Sequence, residues 1–147
     1  YHNRTRANPT RERQTTARYV ALEELLATSD VVSLHCPHNA DSHHLIDADA
    51  LAAMKPSALL VNTARGAVVD EAALAAALAD GEIAGAGLDV FEDEPAVHPG
   101  LREHDRVVLA PHLGSATARA RMRMAQMCTD SIQAVMEGHD SVPHRLV

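Results

Sequence analysis

Four short apolar runs, separated by stretches of helical character, constrain this chain more than any other feature. "VVSLHC" (31–36) and "ALLVNTA" (58–64) are aliphatic, partly β-branched and too short for buried helices, so both are predicted as strands. "AGAGLDVF" (84–91) and "RVVLAP" (106–111) are predicted as two more. Leu22 to Ala27 carries helical spacing and ends at "TSD", while Asp47 is placed to cap a helix reaching Met54, stopped by Lys55-Pro56. Asp70 is placed as the N-cap of "EAALAAALADG", closed by Gly81. A last long helix is predicted over 117–137, with Gly138 as its stop. Strand and helix alternating at this spacing imply βαβ units and a parallel sheet, an α/β fold.

Composition supports that reading. Ala, Val and Leu supply most of the apolar content, with one Phe (Phe91) and no Trp, which suits helices packed closely on a sheet. No apolar run approaches the roughly 20 residues of a membrane span, and no segment resembles a signal peptide, so no membrane partner is expected. Two cysteines, Cys36 and Cys128, are too few for a disulfide framework, which makes a cytoplasmic location the expectation. The net charge of −7 discourages nucleic-acid binding by the body of the chain. Residues 1–18 are the exception: five arginines against Glu12 alone give +4 there and −11 elsewhere. A solvated basic segment, a nucleic-acid arm and a phosphate site are all open readings of that stretch. The arm lacks interleaved aromatics beyond Tyr1 and Tyr19.

In parallel sheets ligands bind outside the carboxyl ends of the strands. Cys36-Pro37, Arg65, Asp89 onward and "PHLGSAT" each follow a predicted strand, so four strand ends bring unusual residues to one edge. Arg65 offers a permanently charged, planar fork of donors. It either pairs with an acid of its own domain or clamps an anionic substrate. "DVFEDEP" holds Asp89, Glu92, Asp93 and Glu94, either a solvated loop or, with Pro95 restricting its neighbour, a directed Glu94 carboxylate. His112 is either structural or, beside a carboxylate such as Glu94, a general acid. His35, His38, His43 and His44 match no zinc spacing, and no metal is expected. "GAGLD" leads into a strand rather than opening a helix, so Gly85 and Gly87 are read as tight packing, not as a dinucleotide loop.

"NTARGAVVDEAAL", "GAGLDVFEDEP" with "HPGL" close behind, and "VVLAPHLGSAT" together resemble the coenzyme-binding domain of the D-isomer-specific 2-hydroxyacid dehydrogenases. Order and separation match over almost the whole chain, and the wording is closest to the glyoxylate/hydroxypyruvate reductase branch. The resemblance implies a doubly wound Rossmann-type domain and hydride transfer between NAD(P)H and a small 2-keto acid. It implies that Arg65 grips the substrate carboxylate, that His112 gives a proton to the carbonyl oxygen, and that Glu94 orients His112 and favours its protonated state. Cofactor contacts would fall to Cys36, Thr63, Ala64, Arg65, Asp89, His112, Gly114 and Ser115.

In NAD-using members an acid near the end of the second strand receives the ribose hydroxyls. Here the corresponding stretch is "YHNRTR", and Arg4, Thr5 and Arg6 favour the extra phosphate of NADP, with NAD as the second choice. The family's pattern puts its first strand, glycine-rich loop and substrate domain outside "YHNRTR…VPHRLV". Residues 1–147 are therefore read as a partial dinucleotide-binding domain, a fragment expected to be inactive alone and homodimeric in the intact protein. A dinucleotide-sensing corepressor of the same fold and an inactive remnant are the competing readings.

Overall fold

The computed structural model describes residues 1–139 and 141–144, and the chain divides into two compact units, Tyr1–Pro111 and His112–Val147. The first unit holds α1 (Pro9–Thr15), α2 (Leu22–Thr28), β1 (Val31–Leu34), α3 (Ala48–Ala52), β2 (Leu59–Asn62), a 3-10 turn (Gly66–Val68), α4 (Glu71–Asp80), β3 (Gly85–Leu88), α5 (Pro99–Arg102) and β4 (Val107–Leu109). The four strands are parallel and lie in the order β1-β2-β3-β4.

Local chemistry sets the helix ends. Asp47 and Asp70 accept from Ala50 N and Ala73 N as N-caps, and Gly81 closes α4 at φ 75°, a conformation that glycine adopts without penalty. α1 lies inside the basic segment, started by the Asn8 side chain and by Pro9 at the first helical position. Each strand is shorter than the apolar run that contains it, and after β3 the run continues into a loop that is itself buried, Asp89 to Phe91. Phe91, beyond the end of β3, is 8% exposed.

Register separates the two faces of the sheet. Val32, Leu34, Leu60, Ala86 and Leu88 lie on one face and join the buried cluster with Ile46, which precedes α3, and with Leu51, Leu74, Leu78 and Leu101 of the helices. Each large aliphatic side chain taken fully from water there contributes about 1.5–3 kcal/mol. Alanines 75 and 77 keep α4 slim enough to pack centrally between α3 and α5. On the other face Val31, Leu59 and Val108 are exposed. Close packing holds at Gly85, where a Cβ would lie 2.6 Å from Arg106 O, but not at Gly87, where it would meet open space.

The second unit is dominated by α6 (Ala118–Met136), capped by the Thr117 side chain and followed by Gly138 at φ 72°. This agrees with the helix predicted over 117–137.

Candidate functional site

The carboxyl ends of β1 and β2 border an open cleft of about 600 Å³, lined by His35, Cys36, Pro37, His38, Thr63, Ala64 and Arg65. Four of the predicted site residues, Cys36, Thr63, Ala64 and Arg65, therefore share one wall-to-wall space. Its size suits part of a dinucleotide or a small acid. The turn that presents Arg65 is braced by Asn62, which is 1% exposed. Its Oδ1 accepts from Ala64 N at 3.0 Å and its Nδ2 donates to Arg65 O at 3.0 Å. Buried amides need such partners. Sequence reading passed over Asn62, although a polar residue ending an apolar strand is a signal.

The Arg65 guanidinium is exposed and donates from Nη1 to the Ala64 carbonyl at 2.6 Å. Among the described residues no carboxylate pairs with it.

The β3 end lies against this turn. Asp89, 9% exposed, donates its N–H to Asn62 O at 2.9 Å. Gly66 leaves no room for a side chain, because its Cβ would fall 1.8 Å from Phe91 C. The acidic loop is structured rather than loosely solvated. Phe91 N donates to Glu94 Oε1 at 3.1 Å, and the Glu94–Pro95 peptide is cis. Glu92 Oε1 pairs with His44 Nε2, and Asp70 Oδ2 lies 3.7 Å from His44 Nδ1. Glu71, 7% exposed, accepts from Glu92 N at 2.8 Å and from His98 N at 3.0 Å. His44 stood out from sequence only as a possible metal ligand, and Glu71 not at all, since their partners are distant along the chain.

The basic segment holds two different arginines. Arg6 donates from Nε and Nη2 to the two oxygens of Glu12, at 2.8 and 2.9 Å, while the Tyr1 hydroxyl donates to Glu12 Oε1 at 2.7 Å. These hydrogen bonds, Arg6 first and Tyr1 second, hold the Glu12 carboxyl down at about 2. Burial, and then the bond to Glu12, push the Tyr1 phenol up. Among the described residues the Arg4 side chain pairs with Asp41, at 3.5 Å, with both side chains more than three-quarters exposed. Such a pair contributes little. Thr5 is exposed beside it.

His112, Gly114 and Ser115 open the second unit as exposed residues. His112 has φ 53°, left-handed backbone that is uncommon outside glycine and concentrates at functional sites. Among the described residues no three His, Cys, Asp or Glu side chains converge on a cation position. No described helix is long and apolar enough to cross a membrane.

Compared with known proteins, residues 1–114 match the family described as D-isomer specific 2-hydroxyacid dehydrogenase, NAD binding domain. The whole chain is 48% identical to the glyoxylate reductase of Thermococcus litoralis, covering 44% of that protein. It superposes on the NADPH-dependent glyoxylate/hydroxypyruvate reductase of Sinorhizobium meliloti, solved in complex with NADP and malonate, with a TM-score of 0.87. There the identity is 33%, and 100% of this chain covers 47% of the other. The holo form of Rhodotorula graminis D-mandelate dehydrogenase gives a TM-score of 0.86 at 39% identity, over 91% of this chain and 39% of that one. The chain thus spans less than half the length of the relatives it matches.

Proposed function

The chain belongs to the D-isomer-specific 2-hydroxyacid dehydrogenase family, through its NAD-binding domain, and from that premise we propose that the protein reduces a small 2-keto acid of the glyoxylate or hydroxypyruvate type to the D-2-hydroxy acid. The observation that carries this is Arg65: a guanidinium presented at a strand-end cleft, on a braced turn, with no internal carboxylate among the described residues. Its fork matches a substrate carboxylate and helps polarise the adjacent carbonyl.

The cleft suits a nicotinamide dinucleotide, because it lies at the carboxyl ends of parallel strands and is lined by small and cationic residues. Cys36 would hold the adenosine side, Thr63 and Ala64 the nicotinamide ribose, Asp89 the carboxamide, and Gly114 and Ser115 the remaining edge. When bound, that group supplies the hydride. His112 then gives its proton to the carbonyl oxygen, and Glu94 orients His112 for the transfer. Arg4 and Thr5, with Arg6, make NADPH the preferred reductant, since a guanidinium recognises a phosphate dianion. The same reading carries the homodimer and the cytoplasmic location that the family implies.

The test is oxidation of NADPH by the protein as its gene encodes it, with glyoxylate or hydroxypyruvate as acceptor. Turnover that falls roughly 10²-fold or more in Arg65→Gln and in His112→Asn is expected. Activity unchanged by both substitutions would refute the assignment.

A further inference from the structure

Glu71 is the first residue of α4, where an acid usually faces solvent and complements the helix dipole. Here it is 7% exposed, and burying a carboxylate is costly unless its oxygens are satisfied. Each oxygen takes one backbone N–H from the acidic loop: Oε1 from Glu92 at 2.8 Å and Oε2 from His98 at 3.0 Å. The reverse tie also exists, Glu71 N donating to Glu92 Oε2 at 3.2 Å. A single side chain therefore anchors both ends of residues 92–98, the segment that carries Glu94. Between those anchors Ala96 N donates to Asp93 O at 2.9 Å, and just before the first of them Phe91 N donates to Glu94 Oε1 at 3.1 Å, so the loop is closed on itself.

We propose that Glu71 is a positioning residue: through the Glu92 and His98 amides it fixes the loop that holds the Glu94 carboxylate in its working place, without touching substrate. The inference rests on the reading of Glu94 given above. Glu71 is far from Glu94 in sequence and lies on a different element, so a purely local role for it would not require a bond at each end of the loop.

The experiment compares the native protein with Glu71→Gln, Glu94→Gln and the double variant, by kcat against pH for keto-acid reduction, with cofactor affinity measured alongside. Glutamine keeps the shape but sets an NH2 against a backbone N–H. Glu71→Gln is expected to lower kcat roughly tenfold and to move the alkaline limb of the profile to lower pH, as Glu94→Gln does. Cofactor affinity should stay within about twofold, and the double variant should be no worse than Glu94→Gln alone, because both act through one carboxylate. His98→Pro supplies a second route. His98 sits at φ −54°, which proline adopts, and the substitution removes the amide that Oε2 receives. It should shift the limb in the same direction. If Glu94→Gln shifts the limb and neither Glu71→Gln nor His98→Pro does, the positioning role is overturned. If Glu94→Gln itself leaves the profile unmoved, the catalytic reading of that loop falls, and this inference with it.

Discussion

A Cβ placed on Gly66 would lie 1.8 Å from the carbonyl carbon of Phe91 and 1.9 Å from its oxygen. The turn that carries Arg65 and the loop that carries Glu94 are thus in backbone contact, and only a hydrogen at position 66 permits it. Neither neighbour can yield cheaply, since the obstructing atoms are main chain and Phe91 is buried. Gly66→Ala is expected to cost about 3 kcal/mol or more, at the upper end of overpacking penalties, and to separate the two loops. Urea unfolding measures the first effect. A variant as stable as the parent would contradict the packing described.

Asn62 holds the same turn from beneath. Asn62→Ala would leave Ala64 N and Arg65 O without their side-chain partner and is expected to destabilise by about 2 kcal/mol. Asn62→Asp separates the two bonds, keeping the acceptor for Ala64 N and setting an oxygen against the Arg65 carbonyl. The aspartate variant should lose keto-acid affinity, read as a raised KM, while cofactor affinity changes within about twofold. Equal losses for both ligands would show that Asn62 supports the whole cleft rather than the Arg65 turn.

The Glu12 site sets a pH dependence whose sign is fixed. Arg6 and then Tyr1 hold the folded carboxyl at about 2, below its ordinary value of 4.5. The ionised form is therefore bound more tightly in the folded state, so its stabilisation is complete above pH 4.5 and is lost as pH falls toward 2. Glu12→Gln should remove that part of the acid dependence and leave stability near neutrality less sensitive to pH. A carboxyl carbon titration of Glu12 centred at its ordinary value would rule out the Arg6 and Tyr1 bonds in solution.

Elements set by neighbouring residues were readable from the sequence, and those set across the fold were not. Asp47, Asp70, Gly81 and Thr117 mark helix ends through bonds within a few positions, and the structure keeps all four. The parallel sheet followed from the alternation of patterns, whereas the strand order comes from the structure. The run at β3 outlasts its strand because buried loop residues such as Phe91 look like ladder residues in one dimension. The helix at Pro9–Thr15 has a local signal in Asn8-Pro9, set within a run of arginines whose charge dominates the segment. At the site, residue types that hold a net charge at a strand end stood out, as Arg65 did. Their supports did not: Glu71 meets residues 92 and 98, and His44 meets Glu92, through distances in sequence that periodicity cannot span.

Charge near the cofactor phosphate gives the last test, and the two arginines should not behave alike. Arg6 is committed to Glu12 by two short hydrogen bonds, so much of its charge is already answered. Among the described residues the Arg4 side chain has a 3.5 Å contact with an exposed Asp41, and it can turn to a dianion at little cost. Hydrogen bonds to charged groups are each worth about 1.5–3 kcal/mol, so Arg4→Asp should lower the NADPH-to-NADH ratio of kcat/KM by roughly ten- to hundredfold. Arg6→Ala should lower it less, and should also release Glu12 and reduce stability. The comparison is steady-state kinetics with both cofactors at one ionic strength, because exposed charge interactions are screened by salt. A native protein with equal efficiency for the two cofactors, unchanged by Arg4→Asp, would remove the basic segment from cofactor selection and leave it as solvated surface.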